Sequence, residues 1–270
     1  MRTPWSWYVL LVGVCIVAPY LLGMRPRRRR DWILLTLTIG FLTWLLAGYT
    51  FVRSHSRAVA ADARLRGERF ERAVSAMQRV LQVWLTHADA RTLLLPDRLP
   101  GPGSGLRAGD DARVYTPHNS GADLYPYLIL TAELTDPDLY RGRMREMLRN
   151  EVRYTNTVAS IPGNLNLKTG ELGPPSMFGA GEYAKDGLLT VTEYLGRTPW
   201  YFRMVDMVAD AMERASVESR FGKLPASDSE LNGDYLQVLA RLGNMTGDRR
   251  FIDWARRIAD AYVEEVIPGS

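Results

Sequence analysis

The fold class this sequence predicts is mainly α: two N-terminal transmembrane helices followed by stacked helical hairpins. Three observations carry the prediction. Two stretches near the N-terminus hold no charged residue, apolar residues further along recur at helical spacing, and a helix–break–helix pattern occurs three times.

The two uncharged stretches run from Trp5 to Leu22 and from Trp32 to Val52. Each approaches the roughly 20 apolar residues that a bilayer-spanning helix requires. Trp5, Trp7, Tyr8, Trp32 and Tyr49 fall toward their ends, where amphipathic rings favour the membrane interface. Between the spans lies Arg25-Pro26-Arg27-Arg28-Arg29-Arg30, a dense basic run that stays on the cytoplasmic side. Arg53, Arg57, Arg64, Arg66, Arg69 and Arg72 after the second span pull the other way. They are diluted along a helix and mixed with Asp62, Glu68 and Glu71. The denser run decides, so the expected location is the inner (plasma) membrane with the following domain on the non-cytoplasmic side. Translation from Met24 would leave a signal-anchor pattern and the same placement.

Composition narrows the class. Lysine supplies only Lys168, Lys185 and Lys223 of 34 basic residues, an arginine bias typical of a GC-rich, bacterial genome. The net charge of +4 owes much to one arginine run, and no basic face interleaved with aromatics follows it, so nucleic acid is not an expected partner. The single Cys15 excludes internal disulfides and any multi-cysteine metal site. His55, His87 and His118 do not stand at ligand spacing, and no cofactor motif is present.

Taken in order, residues 1–53 read as a two-span anchor and 54–91 as a long stalk helix, with Phe70, Val74, Met77, Leu81 and Trp84 on one face. Residues 92–120 form a loop rich in Pro96, Pro100, Gly101, Pro102, Gly103 and Gly105. Residues 121–270 hold about three hairpins. Each opens at an aspartate (Asp123, Asp186, Asp234) and re-enters a second helix at an aromatic (Tyr140, Phe202, Phe251) at nearly constant spacing. Pro137 and Pro199 sit in first turns, where a missing N–H costs nothing, and Gly247 suits a position of positive φ. Asn156 to Gly181 is a long non-helical insert, with Leu165 to Leu172 as a small hairpin turning at Gly170.

From about Tyr115 onward, the stretches Thr246-Gly-Asp-Arg-Arg-Phe-Ile-Asp-Trp-Ala-Arg-Arg-Ile-Ala-Asp-Ala-Tyr262 and Asn232-Gly-Asp-Tyr-Leu-Gln-Val-Leu-Ala-Arg-Leu242 resemble the α/α-toroid, or six-hairpin glycosidase-like, superfamily. The resemblance is at the level of the fold. It implies a partial α/α toroid, since the chain holds three hairpins and a leading helix where a full toroid has six, and a partner chain would complete the arc. It also implies glycoside hydrolase, polysaccharide lyase or epimerase chemistry at one end of the toroid, on acidic and aromatic residues.

The residues themselves point the same way. Grouped carboxylates offer one protonated donor and one ionised partner, as glycosidic acid/base chemistry demands. Asp186, Asp123 and Glu182 are the catalytic candidates; Asp234 joins them at the same end of the domain. The segment Tyr115-Thr-Pro-His118-Asn119-Ser120-Gly-Ala-Asp123-Leu-Tyr125 reads as a sugar-binding lip, with His118 and Asn119 for hydroxyls and Tyr125 and Tyr183 for ring stacking. The competing expectation is that each aspartate caps its helix, with Ser120 as a further cap, His118 in a turn and Lys185 solvated. The expected partners are the lipid bilayer and a polysaccharide, and the rival to an enzyme is a non-catalytic scaffold of helical repeats that binds a protein or a glycan.

Overall fold

The computed structural model describes residues 29–99 and 113–267. The first predicted span, Cys15, Met24, the arginines at 25–28 and the glycine- and proline-rich part of the loop at 100–112 lie outside the described residues. By internal contacts the chain divides into two compact units, Met1–Arg72 and Ala73–Ser270.

Helix α1, Arg29–Thr86, runs for 58 residues without a break. Its part from Leu35 onward is long and apolar enough to cross a membrane, with a mean hydropathy of 1.6 in its most apolar window. Leu37, Phe41, Trp44 and Phe51 are each more than half exposed on this stretch. Thr36, Thr43, Thr50 and Ser54 donate their hydroxyls to carbonyls three or four residues back, which satisfies them without water. The apolar face expected on the stalk is covered only at its end: Leu81 and Leu85 are buried, while Phe70 and Met77 stand exposed.

The second unit builds its core from helices interrupted by wide π-turns. A π-helical segment π1 (Pro117–Leu124) is capped by Thr116 and runs into α2 (Tyr125–Thr135). Asp136 breaks the chain and caps α3 (Pro137–Leu139) by accepting from the Leu139 N–H, and π2 (Tyr140–Met144) leads into α4 (Arg145–Thr155).

The insert is not irregular throughout. It holds strands β2 (Asn156–Val158), β3 (Ile161–Asn166) and β4 (Leu172–Pro175), which join β1 (Val114–Tyr115) in an antiparallel sheet with β3 central. Leu165 pairs with Leu172 across the expected hairpin, and Gly170 takes φ +79° in its turn. That left-handed φ is open to glycine at little cost.

Next come α5 (Met177–Glu182), π3 (Tyr183–Leu188) and α6 (Leu189–Leu195), a single helical run capped by Ser176. Helix α7 (Pro199–Glu213) follows, then α8 (Ser229–Thr246), α9 (Arg249–Ala261) and π4 (Tyr262–Val266). Pro137 and Pro199 occupy first turns, and Gly247 ends α8 at φ +70°.

Two expectations about the repeat fail on packing. Asp123, Asp186 and Asp234 do not open their helices. The caps are Thr116, Ser176 and Asp228, each with extended backbone and a side chain that accepts from an N–H of the first turn. Asp123 lies near the end of π1, Asp186 inside π3 and Asp234 in the second turn of α8. In the second hairpin the core aromatic is Trp200, fully buried, whereas Phe202 is 56% exposed. The even spacing of the repeat had been counted to the wrong ring.

Candidate functional site: a carboxylate cluster around Lys185

Close helix packing brings the predicted carboxylates together. A Cβ at Gly181 would stand 2.5 Å from Leu231 Cδ1 and 3.4 Å from the Tyr235 ring, so the bare glycine lets α8 pack closely against α5. Tyr235 ties the crossing by donating its hydroxyl to the Met177 carbonyl at 3.0 Å. Asp234, between Leu231 and Tyr235 on this buried side of α8, then meets Lys185. On the other side of π3, a Cβ at Gly187 would stand 2.8 Å from Pro126 Cγ and 3.1 Å from the Gly121 carbonyl. The wider π-turn places Lys185 and Asp186 together within reach of Glu182.

Lys185 Nζ lies 2.9 Å from Asp234 Oδ1, 3.2 Å from Glu182 Oε1 and 3.2 Å from Asp186 Oδ2. Exposure is graded across the cluster: the Asp234 side chain is 7% exposed, Glu182 15%, Lys185 20% and Asp186 41%. Asp234 Oδ2 is buried and receives no hydrogen bond.

Burial pushes the Glu182 carboxyl up to about 7, helped by its hydrogen-bonding contact with Asp234 and by Asp186, against the opposing pull of Lys185. Glu182 therefore exchanges its proton near neutral pH, beside an Asp234 carboxylate whose Oδ1 pairs with Lys185. For Lys185, burial lowers the affinity for its proton, but the bonds to Asp234, Glu182 and Asp186 outweigh it and hold the ammonium firmly charged. The set combines a proton donor near neutrality with ionised carboxylates and a fixed cation.

The other predicted residues are placed differently. Asp123 is exposed and makes no ion pair or side-chain hydrogen bond among the described residues. Asn119 donates its amide to Asp97 Oδ2 at 3.0 Å, beside bonds from Thr116 and Ser120 to the same carboxylate. Its polar head is committed to holding the loop. His118 packs its ring 5.7 Å from Phe178, one helical turn before Glu182, and its Nδ1 is buried without a partner.

Tyr125 and Tyr183 are 4% and 0% exposed, so neither has a ring face to stack on a sugar. The Tyr125 hydroxyl donates to the Met144 carbonyl and accepts from Trp200 Nε1 at 3.2 Å.

Sequence reasoning overlooked three anchors. Lys185 was expected to be solvated, although a carboxylate three residues before it is a signal for ion pairing on a helix. Asp97 holds the lip. Glu151 and Arg203 form a buried pair at 2.7 Å, with Arg203 also donating to the Ser160 carbonyl at 2.7 Å. That pair fastens α4 to α7 and to the turn before β3. Among the described residues no group of three or more His, Cys, Asp or Glu side chains is placed to hold a metal ion.

What fold and site define together is a mainly helical protein with one long apolar N-terminal helix and a lysine-centred carboxylate cluster in its second unit. No family model, curated protein or solved structure matches the chain.

Proposed function

We propose that the chain is a bacterial envelope protein held in the inner membrane by its N-terminal helices, whose domain, a partial α/α toroid on the non-cytoplasmic side, binds or cleaves a polysaccharide by carboxylate acid/base chemistry. The observation that supports this reading is the convergence of Glu182, Asp186 and Asp234 on Lys185. Glu182 donates its proton to the glycosidic oxygen. Asp234 or Asp186, each paired with Lys185, stabilises the developing positive charge or activates water. Oxygens of Glu182 and Asp234 both contact one nitrogen, so those two lie at most about 6 Å apart and can share a proton. Asp123 stands outside this set.

The full chain in detergent, incubated with a panel of bacterial and plant polysaccharides, is expected to release reducing ends or unsaturated ends from at least one. Glu182→Gln should lower that rate by about 100-fold or more, with the melting temperature retained. Full activity in both Glu182→Gln and Asp186→Asn would remove the carboxylates from the chemistry.

A second reading, a non-catalytic scaffold, has its own support. Val263, Val266 and Ile267 stand exposed at spacings of three and four on the last helical turns, an apolar stripe suited to a partner chain that extends the arc.

A further inference from the structure

We propose that helix α1 pairs with the same helix of a second copy of this chain, in a parallel two-stranded coiled coil running from Ala60 to Met77. The proposal takes from the reading above only the membrane anchor, and it is independent of the carboxylate chemistry. Register, exposure and charge carry it together.

A coiled coil needs apolar or small side chains at the a and d positions of a seven-residue repeat. Of the seven registers that can be laid on this stretch, six put an arginine, aspartate or glutamate at a or d. The remaining one places Ala60, Gly67 and Val74 at a, with Ala63, Phe70 and Met77 at d. The chain's own fold leaves this seam open. Ala60, Ala63 and Gly67 are exposed, and the large side chains of Phe70 and Met77 are 61% and 41% exposed. The domain core covers the same register only from its next positions, Leu81 and Trp84. Gly67 adds a separate sign. Glycine weakens a helix interior, yet among the described residues nothing beyond its own helix backbone lies within 4 Å of where a Cβ would stand. A second helix passing close at the seam gives the missing side chain a use.

Charge selects the occupant. In a parallel pair, a g residue faces the e residue five positions further along the other helix. Arg66 stands at g and Glu71 at e, so two-fold symmetry sets Arg66 against Glu71 of the second copy twice. Arg66 pairs within its own helix with Asp62 at 2.8 Å, but both side chains are more than half exposed and such a pair is loosely held. Arg64, also at e, faces Val59 of the second copy and meets no like charge. Asp62, Glu68, Arg69 and Arg72 fall at b, c and f, away from the seam. Two copies anchored in one membrane by the preceding turns of α1 also enter in the same direction, which favours the parallel arrangement and raises their effective concentration.

The test places single cysteines in the full chain, in a Cys15→Ser background, and oxidises them in the membranes of the expressing cell. Ala63→Cys and Phe70→Cys are both expected to cross-link, at least tenfold more than Arg69→Cys and Arg72→Cys. In mild detergent the unaltered chain should have the mass of a dimer by light scattering. Phe70→Glu should weaken that dimer at least tenfold while leaving the melting temperature of the domain unchanged. Glu71→Arg should weaken it as well, and Arg66→Glu added to Glu71→Arg should restore it. Equal cross-linking at all four positions, or at only one of the two seam positions, overturns the parallel register. A monomer that stays in carbonate-washed membranes overturns the dimer and leaves the anchor standing. A chain washed off those membranes overturns the anchor and the pairing direction drawn from it.

Discussion

Glu182 holds its proton because folding takes it out of water and sets it against Asp234, and the same fact fixes how its ionisation couples to stability. The folded protein keeps this carboxyl protonated up to about 7, whereas an ordinary glutamate releases its proton near 4.5. Between those values the folded state binds the extra proton, so stability falls as pH rises through that window. Lys185 remains charged throughout and adds no slope of its own. A decrease of about 1–2 kcal/mol between pH 5 and 8 is expected, discounted for the partial solvent access of the group. Chemical denaturation at several pH values measures it, and Glu182→Gln should flatten the slope. An unchanged slope in that variant would place the linkage on another group.

At this scale the carboxylates were legible as residue types, whereas their positions within the helices were not. Tyr125 and Tyr183 looked like sugar platforms by residue type, and type does not say that both rings face inward. Lys185 carried its own signal in its spacing to Glu182.

At the scale of elements, helices were read well and their interruptions badly. Period and caps mark a helix, and Pro137, Pro199 and Gly247 fell where their backbone preferences put them. A π-turn leaves no comparable mark, since one extra residue per turn arises from how neighbouring elements pack. Glycines are the nearest thing to a sign of it. Gly121 on π1 and Gly187 on π3 face each other, and a methyl at Gly187 would meet the Pro126 ring and the Gly121 carbonyl, neither of which yields easily. At Gly181 the closest neighbour is the flexible end of Leu231. Gly187→Ala should therefore cost about 2–3 kcal/mol by overpacking, and Gly181→Ala less than about 1 kcal/mol. Thermal melts of the two variants separate them: the first should lower the midpoint by about 5–10 °C and the second by a few degrees at most. Equal shifts would show that the π1–π3 approach is soft.

At the scale of the molecule, the sequence divides its own tasks. The part of α1 from Leu35 to Val52 is rich in apolar side chains turned outward, as expected where lipid is the surrounding medium. Among the described residues the main hydrophobic core begins at Leu81 and is completed by residues as far along as Tyr262. The sequence reads an anchor to residue 53, a stalk helix to 91, a loop to 120 and the hairpin domain beyond, while internal contacts divide the chain between Arg72 and Ala73.

A fragment beginning at Ala73 contains every residue of that core, so it should remain in solution without detergent and unfold in one cooperative transition. The full chain should require detergent throughout. The Trp84 and Trp200 fluorescence of the fragment, followed against urea, reads the transition at both ends of the core. A broad transition with early loss of Trp84 signal would mean that the end of α1 relies on the preceding turns to stay docked.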